Sequence, residues 1–272
     1  MRTRPFGTTG MTISALGLGT VKFGRNQGLK HPTPFSLPDD RQAAELLDLA
    51  ADLGINLIDT APAYGTSEER LGALLAGQQD RWIICTKVGE EFDAATVTSS
   101  FDFSPEHVRF SIERSLRRLR RDVLDIVLVH SDGNDLDIIE RHGTMQALRD
   151  LKAEGKLRAF GLSSKTVEGG IASLDQGDCA MATYNRDHTV EAPVLDHAAA
   201  TGKAILVKKP LASGHIDKAD GIDPVEASFR FIFAHPGVTS AVMGTINPAH
   251  LRSNVGAVER ALDALSRSRP AP

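Results

Sequence analysis

Short apolar runs recur along the chain, and several of them are apolar almost throughout instead of alternating with polar residues. An unbroken apolar run is typical of a parallel strand, because both faces of such a strand are covered. These runs predict eight strands, at residues 14–19, 55–60, 82–87, 125–130, 158–163, 180–185, 204–209 and 240–245.

The segments between these runs carry helix signals. Residues 39–54 begin with aspartate, place apolar residues at helical spacing and stop at a glycine, while residues 104–119 offer Ser104 as N-cap and Pro105 as first helical residue. The same signals predict helices over 66–77, 141–155 and 247–265. Strand and helix alternating eight times predicts an α/β fold, a (β/α)₈ TIM barrel, with a doubly wound open sheet as the alternative.

Three segments depart from this alternation. Residues 1–13 predict an N-terminal β-hairpin that closes the barrel floor, and residues 22–40 form a long, proline-containing loop of the kind that is usually functional or mobile. Residues 266–272 predict a disordered tail. Because no linker or change of composition interrupts the chain, we expect residues 1–272 to form a single domain.

Composition narrows the class of protein. The chain has 272 residues, a net charge of −4 and 41% hydrophobic residues, which is ordinary for a soluble globular protein and favours neither nucleic-acid nor membrane binding. The basic run 114–122 has helical spacing and predicts a solvated helix face. Without a signal peptide or a long apolar span, the sequence predicts a cytoplasmic protein.

The cysteines and histidines predict no metal site. Cys85 and Cys179 lie far apart, each in an apolar stretch, and are expected to be reduced core thiols. The nine histidines form no ligand motif.

Polar side chains close three consecutive predicted strands: Asp59, Lys87 and His130. In a barrel the carboxyl ends of the strands surround one site, and polar residues there are typically catalytic. Singly, Asp59 could cap a helix, Lys87 could reach solvent and His130 could be a core imidazole. Three such residues on adjacent strands favour a shared catalytic site.

Tyr64, in the loop after the second strand, completes the group. Its phenol has an ordinary pKa near 10, which the charge of Lys87 is expected to lower, while Asp59 keeps that lysine charged and in place. His130 could then hydrogen-bond a substrate oxygen beside Tyr64. Such a group suits proton transfer to a carbonyl oxygen as hydride reaches the carbon, or the reverse reaction.

At these residues the sequence resembles the aldo-keto reductase family. The segment NLIDTAPAYGTSEERLG (56–72) is similar to the family signature, ICTKVG (84–89) to the strand of its lysine, and DIVLVHSDG (125–133) to that of its histidine. The segments LGLGT, GLSS, KKPLASG and GTINPAHLRSN resemble further family segments in the same order. The resemblance covers essentially the whole chain.

The resemblance implies roles for the group and a nicotinamide cofactor. Tyr64 would be the general acid/base, Lys87 and Asp59 its tuning pair, and His130 the residue that orients the carbonyl. The family binds its cofactor without a Rossmann domain, and the chain has no G-x-G-x-x-G motif. The implied cofactor-binding residues are Gly19, Thr20, Ser163, Ser164, Met181, Lys208, Lys209, Pro210, Leu211, Ala212, Ser213, Gly214, Gly244, Thr245, Ile246, His250, Ser253 and Asn254.

Three positions depart from the family pattern. Ser164 stands where asparagine is common, Met181 where many members have a carboxamide-binding glutamine, and Lys208 where an aromatic ring often stacks on the nicotinamide. The lysine cannot stack as a ring does, although its stem can cover a face and its charge can reach a phosphate.

The coenzyme and the substrate are less constrained. The resemblance to the family favours NADP(H) as coenzyme. NAD(H) is the alternative, because the segment after the last strand offers only His250 and Arg252 to the 2′-phosphate of NADP(H). A helix that starts near Asn247 could add its backbone amides to such a phosphate site. Lys22, Phe23 and Ser131 are expected to line the pocket of a small or polar carbonyl or alcohol substrate. Two other functions remain open, a cofactor-binding regulatory module and a Schiff-base aldolase using Lys87.

Overall fold

A computed structural model of the protein describes residues 1–29, 34–211 and 222–268. Within them the strands are β1 (Thr3–Pro5), β2 (Thr12–Ser14), β3 (Leu16–Gly19), β4 (Leu57–Asp59), β5 (Ile83–Val88), β6 (Glu90–Asp93), β7 (Thr98–Phe101), β8 (Leu124–His130), β9 (Leu157–Ser163), β10 (Cys179–Thr183), β11 (Ala204–Lys208) and β12 (Ser240–Gly244).

The described helices are α1 (Val21–Gly24), α2 (Asp40–Asp52), α3 (Ser67–Leu74), α4 (Pro105–Leu119), α5 (Asp135–Glu140), α6 (Thr144–Ala153), α7 (Val167–Gln176), α8 (Ala192–Thr201), α9 (Pro224–Ala234) and α10 (Pro248–Ser268). Short 3₁₀ turns occur at Pro62–Tyr64 and Gln79–Arg81. None of these helices combines the length and the apolar character needed to cross a lipid bilayer.

Eight parallel strands close into a barrel in the order β3, β4, β5, β8, β9, β10, β11, β12, and the last pairs with the first. Each predicted strand corresponds to one of them, so the predicted TIM barrel is confirmed. The pairing of Gly244 with Gly19 excludes the open sheet, whose first and last strands would not meet.

Side chains alternate between the barrel interior and the surrounding helices. One apolar cluster fills the barrel interior with residues of β4 and β5 and of the five strands from β8 through β12. Another cluster lies between the outward faces of the strands and the helices. The predicted N-terminal hairpin is confirmed as the β1–β2 pair. Phe6, Met11 and Ile13 of this hairpin belong to the interior cluster, and because β2 leads into β3 the hairpin covers the amino ends of the strands.

The helix starts follow the predicted capping chemistry. Asp39 Oδ1 accepts a hydrogen bond of 2.7 Å from the Gln42 amide, and the Gln42 side chain accepts one of 3.0 Å from the Asp39 amide, which completes a capping box. Ser104 Oγ caps α4 by accepting from the His107 amide at 3.3 Å. In α4 Ser115 and Leu119 are buried while Arg117 is exposed, as expected for a solvated basic face.

Two peripheral segments differ from their predictions. The 22–40 loop begins within α1 and ends at the start of α2, and residues 30–33 lie outside the described residues. Helix α10 runs to Ser268, so the first residues of the segment predicted to be a disordered tail are helical. Residues 269–272 lie outside the described residues.

The β6–β7 hairpin was not predicted. It leaves the barrel directly after β5 through Gly89, whose φ of +99° lies in the region that favours glycine. A Cβ at Gly89 would come within 2.5 Å of the Phe103 ring, so a side chain has no room there. This sharp turn places β6, and with it Glu90, beside the carboxyl ends of the barrel strands.

Candidate active site

The strand ends bring Asp59 and Lys87 into direct contact. Lys87 Nζ lies 2.6 Å from Asp59 Oδ1 and donates a second hydrogen bond of 2.9 Å to the Thr60 carbonyl. Both side chains are buried, with Lys87 1% and Asp59 4% exposed. The pair is therefore a buried, hydrogen-bonded ion pair between neighbouring strands β4 and β5.

Tyr64 reaches the pair from the 3₁₀ turn that follows β4. Its hydroxyl lies 3.4 Å from Asp59 Oδ2, and its ring centroid lies 4.8 Å from Lys87 Nζ. The His130 ring, at the end of β8, approaches Tyr64 edge-on at 6.3 Å between ring centroids. The four residues predicted from the strand ends and the following loop thus meet at one end of the barrel.

Burial and charge oppose each other at Lys87. Burial alone would lower the pKa of its ammonium, but the carboxylate of Asp59, and at high pH the phenolate of Tyr64, outweigh burial and raise the pKa of Lys87 above its ordinary value. Lys87 is therefore a fixed positive charge at neutral pH.

The same balance has the opposite outcome at Tyr64. Burial raises the pKa of Tyr64 to about 12; Lys87 lowers this pKa, whereas Asp59 adds to the rise. The sequence-based expectation of a lowered phenol pKa is therefore wrong for this structure, because desolvation of the phenolate exceeds its attraction to Lys87. Tyr64 carries its proton at neutral pH.

Glu90, at the start of β6, is a site residue that the sequence analysis missed. Its Oε2 lies 2.6 Å from His130 Nδ1, and its Oε1 accepts a 2.6 Å hydrogen bond from Ser99 Oγ. Burial alone would raise the pKa of Glu90, but hydrogen bonding and attraction to His130 outweigh burial and lower this pKa to about 2. The only signal in the sequence is the acidic pair after the glycine in KVGEE, which does not indicate a partner.

The pKa of His130 is lowered overall. Burial is the largest cause, the contact with Glu90 opposes it, and the charges of Lys87 and Lys208 add to the lowering. The imidazole thus lies between one carboxylate and two ammonium groups, which suits a residue that hydrogen-bonds a substrate oxygen.

Lys208, at the end of β11, reaches toward β9. Its Nζ donates hydrogen bonds of 3.0 Å to Ser163 Oγ and 2.5 Å to the Ser164 carbonyl. Burial lowers the pKa of Lys208 to about 8, and attraction to Glu191 limits the fall. Ser164 Oγ donates to Glu191 Oε2 at 3.1 Å, so the Ser164 hydroxyl is engaged within the protein.

Two other predicted cofactor contacts are deep in the barrel. Thr20 is fully buried, and its hydroxyl donates a 2.9 Å hydrogen bond to the Asp59 carbonyl. Met181 is 3% exposed within the interior cluster, and its carbonyl accepts from the Ser164 amide at 3.1 Å. In this structure both residues support the site residues; neither offers a free polar group to a ligand.

The remaining predicted contacts follow the rim from β11 to α10. Lys209 has a φ of +53°, and its carbonyl accepts a 3.0 Å hydrogen bond from Asn185 Nδ2. Pro210 is buried and Leu211 partly buried. Ala212, Ser213 and Gly214 lie outside the described residues.

The start of α10 is capped by its own chain. Asn247 Oδ1 accepts from the amides of Ala249 at 2.8 Å and His250 at 3.3 Å. Those amides are therefore not offered to a phosphate, contrary to the expectation for a helix starting near Asn247. Of the predicted contacts here, Gly244, His250 and Ser253 are exposed, Ile246 is partly buried, and Thr245 and Asn254 are buried.

The three predicted substrate contacts have different environments. Lys22 is partly buried with Nζ 4.8 Å from the Phe35 ring centroid. Phe23 is fully buried in the core between strands and helices. Ser131 is 1% exposed; its hydroxyl donates to Asp135 Oδ1 and accepts from the Gly133 amide. Phe23 and Ser131 therefore present no free surface to a substrate here, which corrects the prediction for both.

Other residues of the 56–72 segment hold the site in place. Glu68 is fully buried, accepts a 2.7 Å hydrogen bond from Thr86 Oγ1 and pairs with Arg118 at 3.4 Å. A Cβ at Gly72 would lie 1.9 Å from the Arg118 carbonyl, so α3 and α4 can meet only at a glycine. This segment fixes the turn that carries Tyr64.

The donors at this end of the barrel fit a nicotinamide dinucleotide. Lys208 and Ser163 offer an ammonium and a hydroxyl beside His130, and exposed His250, Arg252 and Ser253 lie at the start of α10. Among the described residues, no group of three or more His, Cys, Asp or Glu is arranged to hold a metal ion.

Comparisons with known proteins support the fold and identify the family. A model of the Aldo/keto reductase family matches residues 15–224. A solved structure from Pseudomonas aeruginosa, described as an aldo-keto reductase, is 56% identical with a TM-score of 0.86, over 96% of each chain. The NADH-specific methylglyoxal reductase of Escherichia coli is 31% identical over 79% of this chain and 68% of the relative. L-galactose dehydrogenase of Arabidopsis thaliana is 27% identical over 94% of this chain and 87% of the relative.

Proposed function

The chain belongs to the aldo/keto reductase family of NAD(P)-dependent oxidoreductases, and on that premise we propose that it reduces a small or polar carbonyl compound with Tyr64 as the proton donor. The observation that carries this proposal is the buried Asp59–Lys87 ion pair, 2.6 Å across, against which the Tyr64 ring lies. A buried ion pair is costly to maintain, so its place beside a phenol indicates a chemical use.

Tyr64 supplies the proton. Because burial raises the pKa of Tyr64 to about 12, the hydroxyl is protonated at neutral pH and can donate to a carbonyl oxygen as negative charge develops there. The phenolate left behind lies beside the fixed positive charge of Lys87, which stabilises it, and Asp59 holds that charge in place. The same protonation state favours reduction over alcohol oxidation, since oxidation needs the phenolate at the outset.

The nicotinamide would supply the hydride and be oxidised. Ser163 and Lys208 would hold its carboxamide end, because their polar atoms lie 3.0 Å apart at the carboxyl ends of β9 and β11. His130, 6.3 Å from Tyr64 between ring centroids, would orient the substrate oxygen toward the phenol.

We favour NADP(H) as coenzyme, with NAD(H) as the alternative. Exposed His250 and Arg252 at the start of α10 would face a 2′-phosphate, whereas a site without that contact would accept NAD(H). The NADH-specific relative keeps the alternative open. The cytoplasm, where both coenzymes occur, is the location we expect.

For the substrate we propose a small or polar aldehyde, ketone or sugar. The polar side chains of Tyr64, Lys22 and Glu90 are partly exposed, whereas Phe23 is turned into the core. Polar groups that converge on a binding site favour a small or polar ligand. Steroid-sized ketones turned over more efficiently than small polar aldehydes would contradict this assignment.

The two other functions are less well supported. A Schiff-base aldolase needs a neutral amine, but the Asp59 carboxylate helps to raise the pKa of Lys87 and keeps it charged. A regulatory module without turnover has no need for a buried ion pair beside a phenol. We therefore place both behind the reductase.

The test compares the two tyrosines of the chain, Tyr64 and Tyr184. Tyr184 stacks on Phe231 at 5.0 Å between ring centroids and serves as the matched control. We expect Tyr64→Phe to bind NADPH or NADH, measured by fluorescence titration, with a kcat for small aldehydes reduced by roughly 10² to 10⁴, while Tyr184→Phe keeps its turnover. Binding without turnover in the wild type would favour the regulatory module, and equal turnover in both variants would remove Tyr64 from the mechanism.

A further inference from the structure

The contact between Glu90 and His130 has a consequence for the protons on the imidazole. Glu90 Oε2 lies 2.6 Å from His130 Nδ1, well within the range of a charge-assisted hydrogen bond. Nδ1 is buried, and no aligned hydrogen bond to it is formed among the described residues.

A deprotonated Nδ1 does not fit this contact. A carboxylate has only acceptor oxygens, and Nδ1 without its proton is also an acceptor, so two lone pairs would oppose each other at 2.6 Å. The proton must therefore sit on Nδ1. Neutral His130 then has an acceptor at Nε2, and Nε2 donates a hydrogen bond only when the ring is the doubly protonated imidazolium.

The hairpin holds Glu90 in this position from several sides. Ser99 Oγ donates a 2.6 Å hydrogen bond to Glu90 Oε1 across the β6–β7 pair. Arg25 lies over the Phe92 ring at 3.5 Å and donates a 3.0 Å hydrogen bond to the Ala63 carbonyl, next to Tyr64. Arg25 thus joins the hairpin of Glu90 to the turn of Tyr64, and its charge helps to keep Glu90 ionised.

We propose that Glu90 is a positioning residue that holds the Nδ1 proton of His130, so that Nε2 donates a hydrogen bond to the substrate oxygen from the imidazolium form. The proposal rests on the proposed reductase function and adds a residue to it. It also makes reduction depend on the protonation of His130, with efficiency falling as the pH rises and the imidazolium is lost.

The groups that face His130 determine where this loss occurs. Glu90 of β6 favours the imidazolium, whereas Lys87 of β5 and Lys208 of β11 oppose it, as does burial. Tyr64 faces the ring with its proton retained. Among the largest influences on the His130 pKa, Glu90 is the group that favours the imidazolium, so its removal is expected to move the dependence to lower pH.

The test is the pH profile of kcat/KM for reduction in Glu90→Gln, which keeps the shape of the side chain. We expect the alkaline fall of the wild type to move to lower pH in the variant, with kcat/KM near pH 7 reduced roughly tenfold or more, the scale of one lost hydrogen bond to a charged group. The matched control is Glu91→Gln, because Glu91 is the next residue on β6 and contacts His107 and Arg114 instead. This control should keep the wild-type profile.

A second measurement needs no turnover. Nitrogen NMR of the protein without coenzyme, with the His130 signals assigned by His130→Asn, should show the proton on Nδ1 in the wild type and its loss or redistribution in Glu90→Gln. An unprotonated Nδ1 in the wild type, or an unchanged pH profile in Glu90→Gln, would overturn the proposal. If NMR finds the proton on Nδ1 of His130 while Tyr64→Phe keeps full turnover, the proposed function is wrong. The role of Glu90 in holding that proton would still stand.

Discussion

Two lysines at strand ends of the same barrel, Lys87 buried and Lys208 partly buried, have opposite electrostatic environments. Lys87 contacts a carboxylate at 2.6 Å, and its pKa is raised above the ordinary value. Lys208 contacts a hydroxyl and a carbonyl, and burial lowers its pKa to about 8. The residue type and the place in the fold are the same, so the difference comes from the partners.

This difference separates a permanent charge from a conditional one. Lys87 cannot lose its proton in the physiological range, which suits a group that stabilises a phenolate. Lys208 is charged below about pH 8 and neutral above it, so it can respond to pH and to the charge of a neighbouring ligand. Three measurements on two substitutions, Asp59→Asn and Lys208→Met, would break or sharpen this contrast.

The largest effect is expected from Asp59→Asn, which removes the partner of Lys87. A buried ammonium without its carboxylate costs about 3–5 kcal/mol in the free energy of unfolding, and turnover should fall at least a hundredfold because the ammonium that stabilises the phenolate is no longer held in place. Chemical denaturation and steady-state kinetics measure the two effects.

The control for this change is Glu113→Gln, which removes the carboxylate of an ion pair of similar length, 2.7 Å to Lys156, on the surface. Its unfolding and turnover should match the wild type, since exposed pairs contribute little. A wild-type unfolding midpoint in Asp59→Asn would mean that Lys87 is not held as a charge, and the contrast between the lysines would be lost.

A smaller effect of opposite sign is expected from Lys208→Met. The pKa of Lys208 falls from 10.5 to about 8 on folding, so the folded chain binds fewer protons between these values and stability rises with pH across that window. Below pH 8 the cost of burying the charge is fully present. Lys208→Met should therefore be more stable at pH 7 by about 1–2 kcal/mol, and the gain should shrink toward pH 10. Denaturant unfolding at pH 7 and 9.5 tests this; a gain that does not change with pH would contradict the assignment.

The sequence predicted one lysine better than the other for a physical reason. Lys87 and Asp59 end neighbouring strands, and a parallel barrel brings such ends together whatever the loops do. The partners of Lys208 depend on how far its side chain bends across to Ser163 and Ser164, which no periodicity encodes. The sequence shows that Lys208 stands where the family often has an aromatic residue, but it does not show that the pKa of Lys208 is lowered.

Glu90 shows a second limit of sequence reasoning. It contacts His130 because Gly89 reverses the chain into a hairpin whose turn, residues 94–97, has none of the dipeptides that mark tight hairpins. The extent to which a side chain is buried is equally hard to predict from the local sequence. The pKa of Tyr64 and the inward orientation of Phe23 depend on solvent exclusion by distant segments, which no local sequence pattern encodes.

The smallest of the three effects concerns the oxidation state of the coenzyme. If the nicotinamide lies against Lys208, as we propose, the positive ring of the oxidised form meets a positive ammonium below pH 8, and the neutral ring of the reduced form does not. The wild-type ratio of Kd for oxidised over reduced coenzyme should fall as the pH rises through about 8. In Lys208→Met the ratio should be lower at pH 7 by roughly threefold to tenfold, as expected for two partly screened charges, and independent of pH.

The matched control for this last measurement lies next to the opposite end of the same strand. Lys203 precedes β11 at its amino end, where its Nζ donates a 2.6 Å hydrogen bond to the Gly177 carbonyl, far from the strand ends that carry the site. Lys203→Met should keep the wild-type ratio and its pH dependence, because only the charge at the carboxyl end of β11 faces the proposed ring. Isothermal titration with both forms of the coenzyme at pH 6.5 and 9 gives the four constants needed. A ratio that is independent of pH in the wild type would place the nicotinamide away from Lys208, and it would leave the roles of Lys87 and Tyr64 intact.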